Sequence, residues 1–201
     1  MNPIYIYGAS GHGLVVAEVA GICGYDNILF IDDANAMYPS FEDISKENHI
    51  PIVIGVGNNS IRAKLFEKAK AHGFTITTLI HPSAVVSLSA VIGIGSVVMP
   101  NVTINAKASI GAGAILNTGS IIEHECRIGD FVHISPNAAL AGDVKVGDFT
   151  HIGIGSAVIQ GITIGKNTII GAGSSVIKNI GDFKKAYGVP CKEQKNEAVK
   201  S

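Results

Sequence analysis

The densest acid–base chemistry in this 201-residue sequence is a histidine between two glutamates, Glu123-His124-Glu125. An imidazole with an ordinary pKa of about 6.5 can take up a proton near neutrality as a bond forms. A carboxylate on its other nitrogen fixes the tautomer and stabilises the imidazolium. Glu125 is the candidate for that carboxylate and Glu123 its competitor; taken without context, His124 is equally an exposed corner residue. Gly142 follows His124 by 18 residues. Its N–H could donate to a developing oxyanion, or the glycine could answer only to a turn. His133 and His151 are also 18 apart and should stack on successive coils of one outward face, which could be no more than a polar interface. Asn117 could touch a substrate or belong to a structural ladder.

A second chemistry sits near the start. Ile4-Tyr5-Ile6-Tyr7 reads as a buried strand running into Gly8-Ala9-Ser10-Gly11-His12-Gly13, after which Leu14 to Cys23 has helical apolar spacing. Strand, glycine loop and helix can lay N–H groups against a pyrophosphate, although the GxxGxG pattern alone also fits a tight turn. A second strand ends in Asp32-Asp33, about 20 residues after the loop, where nucleotide-binding units place an acidic residue on the ribose. A third strand leads to Asn58-Asn59, which fits a helix cap, and a helix from about Ser60 to His72. This order predicts a small Rossmann-like βαβαβ domain over residues 1–79, too short for a dinucleotide and better suited to a mononucleotide or a nucleotide-sugar.

What positions the later residues is a repeat. From Ile80 in steps of six to Val176, all seventeen positions are Ile, Leu or Val, and four residues after each comes a mostly small one such as Ala84, Ser96, Ala114 or Cys126. Large and small side chains pointing inward on each six-residue side, with glycine's lack of a Cβ useful near the corners, predict a triangular coil of 18 residues. Residues 80–180 should make about five stacked coils of parallel strands, each covering its neighbour's aliphatic row. No residue breaks the register, so chemistry must sit on corners and outer faces. Cys126 occupies an inward slot and reads as packing, and His81 as structural. Residues 181–201 read as a frayed or helical tail whose lysines could meet phosphates.

Composition closes off other classes. The chain is 47% hydrophobic and 15% charged with net charge −1, which argues against disorder and against nucleic-acid binding through a basic surface. No apolar run reaches the roughly 20 residues of a membrane-spanning helix and no signal-peptide pattern opens the sequence, so a cytoplasmic location is expected. Three scattered cysteines without CxxC spacing suggest neither a disulfide framework nor a zinc site.

Over residues 80–176 the sequence resembles the hexapeptide-repeat acyltransferases. That resemblance implies a left-handed parallel β-helix and a homotrimer with acyl-donor sites between prisms. The stretches IYIYGASGHG at 4–13, GVGNNSIR at 55–62, LIHPSA at 79–84, IIEHECRIGDFVHISPNA at 121–138 and GVPCK at 188–192 together resemble the NeuD-like sugar acetyltransferases. Within them the nearest type acetylates the 4-amino group of a UDP-linked 2-acetamido-4-amino-2,4,6-trideoxyglucose with acetyl-CoA. The resemblance implies His124 as base and Glu125 as the carboxylate that raises its basicity. It implies Ser10, Gly11, His12, Asp32, Asp33, Gly57 and Ser60 around the nucleotide-sugar, with a UDP preference, and His133, Ile154, Ala172 and the Lys192 region on acetyl-CoA. No metal is expected. The other readings are a sialic acid O-acetyltransferase, a nucleotide-sensing scaffold and, less consistent with the short first domain, an NAD-dependent oxidoreductase.

Overall fold

The structure, a computed structural model, describes residues 1–194. The first segment is a three-stranded parallel sheet in the order β2-β1-β3, built from β1 (Pro3–Tyr7), β2 (Asn27–Ile31) and β3 (Ile52–Ile54). The helices α1 (His12–Ile22), α2 (Phe41–Ile44) and α3 (Asn59–Ala71) complete the expected βαβαβ order. The Asn58 side chain caps α3, accepting the Ile61 N–H at 3.0 Å. Both faces of the sheet are covered. Ile4, Ile6 and Val53 pack with Val16, Val19 and Ala20 of α1, whereas Tyr7, Ile31, Phe41, Ile54 and Phe66 form the opposite core. The turn from β1 into α1 needs its glycines: Gly8 has φ +117°, and a Cβ on Gly13 would overlap the Gly8 carbonyl oxygen.

From Leu79 the chain winds into seventeen two-residue strands on three faces of parallel pairs. The first face runs Leu79, Val97, Ile115, His133, His151, Ile169; the second Val85, Thr103, Ile121, Ala139, Ala157, Ser175; the third Val91, Ser109, Arg127, Lys145, Thr163. Five full coils and most of a sixth make up this left-handed parallel β-helix. The aliphatic row from Val98 to Val176 is buried. At the first coil the row is uncovered by a preceding turn; Ile80 is exposed, and Val86 and Ile92 are half-buried against the core that α1 extends over that end.

The small inward residues have a second function. Hydroxyls of Ser96, Thr150 and Ser156 donate to the carbonyls of Gly111, Gly165 and Gly171, so buried oxygens are satisfied inside the prism. Glycines such as Gly113, Gly119 and Gly155 take a left-handed φ at the corners, but the glycines directly after the aliphatic position follow a different logic. The left-handed φ falls three residues after the aliphatic position, on residues such as Asn101, Glu125, Phe131 and Phe149. Gly111 and Gly129, directly after it, are small because the next coil crosses within contact of where a Cβ would stand. On the same corners Asp130 and Asp148 accept the N–H groups of Ala112 and Asp130, one coil back, at 2.7 and 2.8 Å.

The tail differs from the expected frayed or helical segment. Lys185–Tyr187 adds a parallel strand to the first face and Lys192–Glu193 pairs with it antiparallel. A strand edge left open at the last coil offers backbone partners, and this segment takes them. The expectation for residues 195–201 lies outside the described residues.

Candidate active site

His124 stands on the corner between the second and third faces, 59% exposed, with Nδ1 3.1 Å from Glu125 Oε2. Adjacent residues of an extended strand would point apart. Here Glu125 has φ 61°, and the left-handed turn brings its carboxylate back to the ring. Because a carboxylate only accepts, the contact puts the imidazole proton on Nδ1 and leaves a lone pair on Nε2, which has no partner among the described residues. Glu123 does not reach the ring; its carboxylate accepts only the His124 backbone N–H, at 3.4 Å. Gly142 lies under the imidazole: a Cβ there would stand 2.5 Å from Nε2 and 3.1 Å from Nδ1. Its carbonyl accepts from Gly161 and its N–H has no acceptor among the described residues.

A different group meets where the first domain sits on the first face. The rings of His12 and His133 are 6.2 Å apart and those of His133 and His151 4.7 Å apart. Asn117 Nδ2 lies 3.1 Å from His133 Nε2, so Asn117 orients that ring, while Ser135 Oγ meets His151 Nε2 at 3.0 Å. His12 Nε2 and His133 Nδ1 are buried without partners. Burial first, and then the nearby Arg62 charge, lowers His12 to a pKa of about 4. Burial, with the charges of His151, Arg62 and His12 behind it, lowers His133 to about 3, and His151 moves the same way for want of solvent and beside Arg62. All three rings are therefore neutral near pH 7. Beside them Gly57, Asn58, Asn59 and Ser60 face Phe149, His151, Asn167 and Ile169 across a cavity of about 420 Å³.

The carboxylates of Asp32 and Asp33 are already engaged. Asp32 accepts the N–H groups of Ala9 and Ala34, both at 2.9 Å, and so anchors the glycine loop. Asp33 accepts from Phe41 N at 2.8 Å, Tyr7 Oη at 2.5 Å and Lys68 Nζ at 3.1 Å. These donors outweigh the burial that opposes ionisation and hold its pKa below the usual carboxylate value. Ser10 and Gly11 lie in the exposed loop, where the Ser10 carbonyl accepts Gly13 N at 2.7 Å. Ile154 and Ala172 are exposed on the corner between the first and second faces, one coil apart, and Lys192 is exposed on the terminal strand.

In one chain, then, ten of the expected residues form three groups. His12, Gly57, Ser60, Asn117 and His133 gather at the domain–prism seam, Ile154 and Ala172 occupy a neighbouring corner, and His124, Glu125 and Gly142 lie at the corner opposite the first face. A residue that sequence reasoning missed is Arg62, 1% exposed and bonded to six acceptors, none a carboxylate. Its signal lay in the helical spacing of Asn59, Arg62 and Phe66 within and beyond GVGNNSIR.

Comparison with known proteins places this arrangement. Residues 3–69 match the PglD N-terminal domain. PerB from Caulobacter crescentus, solved in complex with CoA and GDP-perosamine, is 40% identical with a TM-score of 0.92, covering 96% of this chain and 97% of that one. The chain belongs to the NeuD-like sugar acetyltransferase family. The acetyltransferase domain of PglB from Neisseria gonorrhoeae, solved with acetyl coenzyme A, is 38% identical with a TM-score of 0.89, covering 96% of this chain and 99% of that one. A UDP-N-acetylbacillosamine N-acetyltransferase of Bacillus subtilis (strain 168) is 41% identical over 115 residues; the match spans 49% of this chain and about half, 52%, of that relative.

Proposed function

We propose that this sugar acetyltransferase moves the acetyl group of acetyl-CoA to the 4-amino group of a UDP-linked 2-acetamido-4-amino-2,4,6-trideoxyhexose, with His124 as general base. The observation that carries the reading is the exposed His124 ring above Gly142, its Nδ1 held by Glu125 and its Nε2 without a partner among the described residues. The amine attacks the thioester carbonyl as a neutral nucleophile; Nε2 takes its proton as the C–N bond forms, and Glu125 stabilises the resulting imidazolium. The unengaged Gly142 N–H donates to the oxyanion. When the adduct collapses the C–S bond breaks, and the imidazolium returns the proton to the departing CoA sulfur.

His124 and the seam lie on opposite sides of one triangular prism, so the base of one copy serves the sugar bound by the next. The second face favours such packing, since Val85, Thr103, Ile121, Ala139, Ala157 and Ser175 present no charge along its length. This supports a homotrimer in which Ser10, Gly11, His12, Gly57, Ser60 and Asn117 approach the nucleotide-sugar of one protomer. The backbone near Ile154 and Ala172, with His133 and Lys192, approaches acetyl-CoA. The UDP preference rests on the Bacillus subtilis relative, and PerB makes GDP the competing nucleotide. The deciding experiment follows CoA thiol release from acetyl-CoA with UDP-, GDP- and dTDP-linked 4-amino sugars. Release with the UDP sugar, largely lost in His124→Ala at unchanged assembly, is expected; equal turnover by that variant removes His124 from the mechanism.

A further inference from the structure

We propose that Arg62 is a positioning residue for this reaction, clamping the nucleotide-binding loop to the prism so that the acceptor pocket and its histidine column keep one spacing. The inference rests on the proposed acetyl transfer and concerns a residue outside its chemistry. Arg62 lies on α3 and is almost wholly buried. Its Nη1 donates to the carbonyls of Val56 and Gly57 at 3.2 and 2.9 Å, which are the loop that borders the cavity. Nε donates to Gly113 O at 2.7 Å and Nη2 to Phe131 O at 2.8 Å, two successive coils of one prism corner; Val132 O, beside His133, is 3.3 Å away.

Asn59 extends the same clamp by one coil. Its Oδ1 accepts Arg62 Nη2 at 2.9 Å, and its Nδ2 donates to Phe149 O and Thr150 O at 2.9 and 3.2 Å, next to His151. Gly113, Phe131 and Phe149 are 18 apart, so one helix face grips three coils. Phe66, on the same face, packs its ring edge against Phe131 at 5.3 Å.

Adhesion alone does not explain a guanidinium here. A buried charge without a carboxylate is costly, and apolar side chains would join the two parts more cheaply. What the planar fork supplies is direction: five N–H groups fixed in one plane set the loop carbonyls against the corner carbonyls, which a lysine's single ammonium cannot do. Gly57 in turn stands beside His12, where even an added Cβ would reach His12 Cβ only at 3.9 Å. The loop, His12 and His133 are thus set by one side chain.

The test uses the full-length protein with Arg62→Lys and Asn59→Ala. Steady-state transfer and calorimetric binding of free UDP and GDP are measured, with circular dichroism and size-exclusion to confirm folding. A tenfold or greater rise in KM for the nucleotide-sugar in Arg62→Lys is expected, with a matching loss of nucleotide affinity and KM for acetyl-CoA within twofold. Asn59→Ala should shift the same quantities at least threefold, and it carries the test alone if Arg62→Lys does not fold. Folded variants with unchanged nucleotide affinity and KM, differing only in melting temperature, overturn the clamp. Should the wild type bind nucleotide yet transfer no acetyl group, the functional reading fails, and the nucleotide affinities still decide for or against Arg62.

Discussion

At the scale of single residues, the His124–Glu125 contact ranks the neighbouring carboxylates. Glu125→Gln keeps a side chain at the ring but removes its charge, and should lower kcat about tenfold. Glu123→Gln, which touches only backbone, should stay within about twofold, and His124→Ala should lose about a hundredfold or more. Equal losses from the two glutamate variants would reverse the assignment. Gly142 makes a steric prediction: Gly142→Ala forces the imidazole off its seat, so kcat falls at least about tenfold with the melting temperature nearly unchanged, because the displaced ring is exposed. The buried histidines act on stability instead. His12 and His133 ionise in the unfolded chain near the ordinary 6.5 but in the folded protein only near 4 and 3. Between those limits the unfolded state binds more protons. Stability is therefore full above about pH 6.5 and declines as pH falls towards 4. Thermal melts across that window should show the decline, and His133→Gln should flatten it; a constant melting temperature in the wild type would mean that these rings are solvated.

For the elements, the repeat sets a gradient of cost along the prism. Ile134 has a covering coil on each side and is fully buried, so Ile134→Ala should destabilise by about 3 kcal/mol in urea unfolding. Val86 in the first coil is half-buried and has a strand on one side only, and Val86→Ala should cost about 1 kcal/mol. Equal costs would show that α1 closes that end as tightly as a coil would. The same logic explains why the tail forms strands at Lys185–Tyr187 and Lys192–Glu193. The last coil has an open edge, and Lys185–Tyr187 satisfies it where no further hexapeptide follows.

For the whole molecule, the decisive fact is that His124 and the seam carrying His12, Gly57 and His133 do not meet within one chain. Two inactive variants should then rescue one another. Co-assembling His124→Ala with a variant that blocks the glycine loop, such as Gly11→Trp, places an intact base opposite an intact loop at some of the sites. Transfer activity should return to roughly a quarter of wild type or more in the mixture while each variant alone stays inactive. No recovery after confirmed co-assembly would mean that each chain works alone.

The strand–loop–helix opening, the three-sided prism and the corner position of His124 were legible without coordinates. Each depends on neighbours a fixed number of residues apart: six within a coil, 18 between coils, or a few along a helix. The motif stretches identified the family for a related reason, since they hold their residue types at set spacings. Other features have no period. The tertiary structure decided that Glu125 and not Glu123 reaches the ring, because a left-handed φ at the corner overrides strand alternation. It also decided that Asp32 and Asp33 spend their oxygens on Ala9, Ala34, Phe41, Tyr7 and Lys68, and that Arg62 lies buried among six acceptors. The partners of Asp32 and Asp33 lie 2 to 35 residues away within the first domain and the prism partners of Arg62 51 to 70 residues away, while the Glu125 turn has a dihedral no local pattern fixes, so only the packing of the folded elements could choose them.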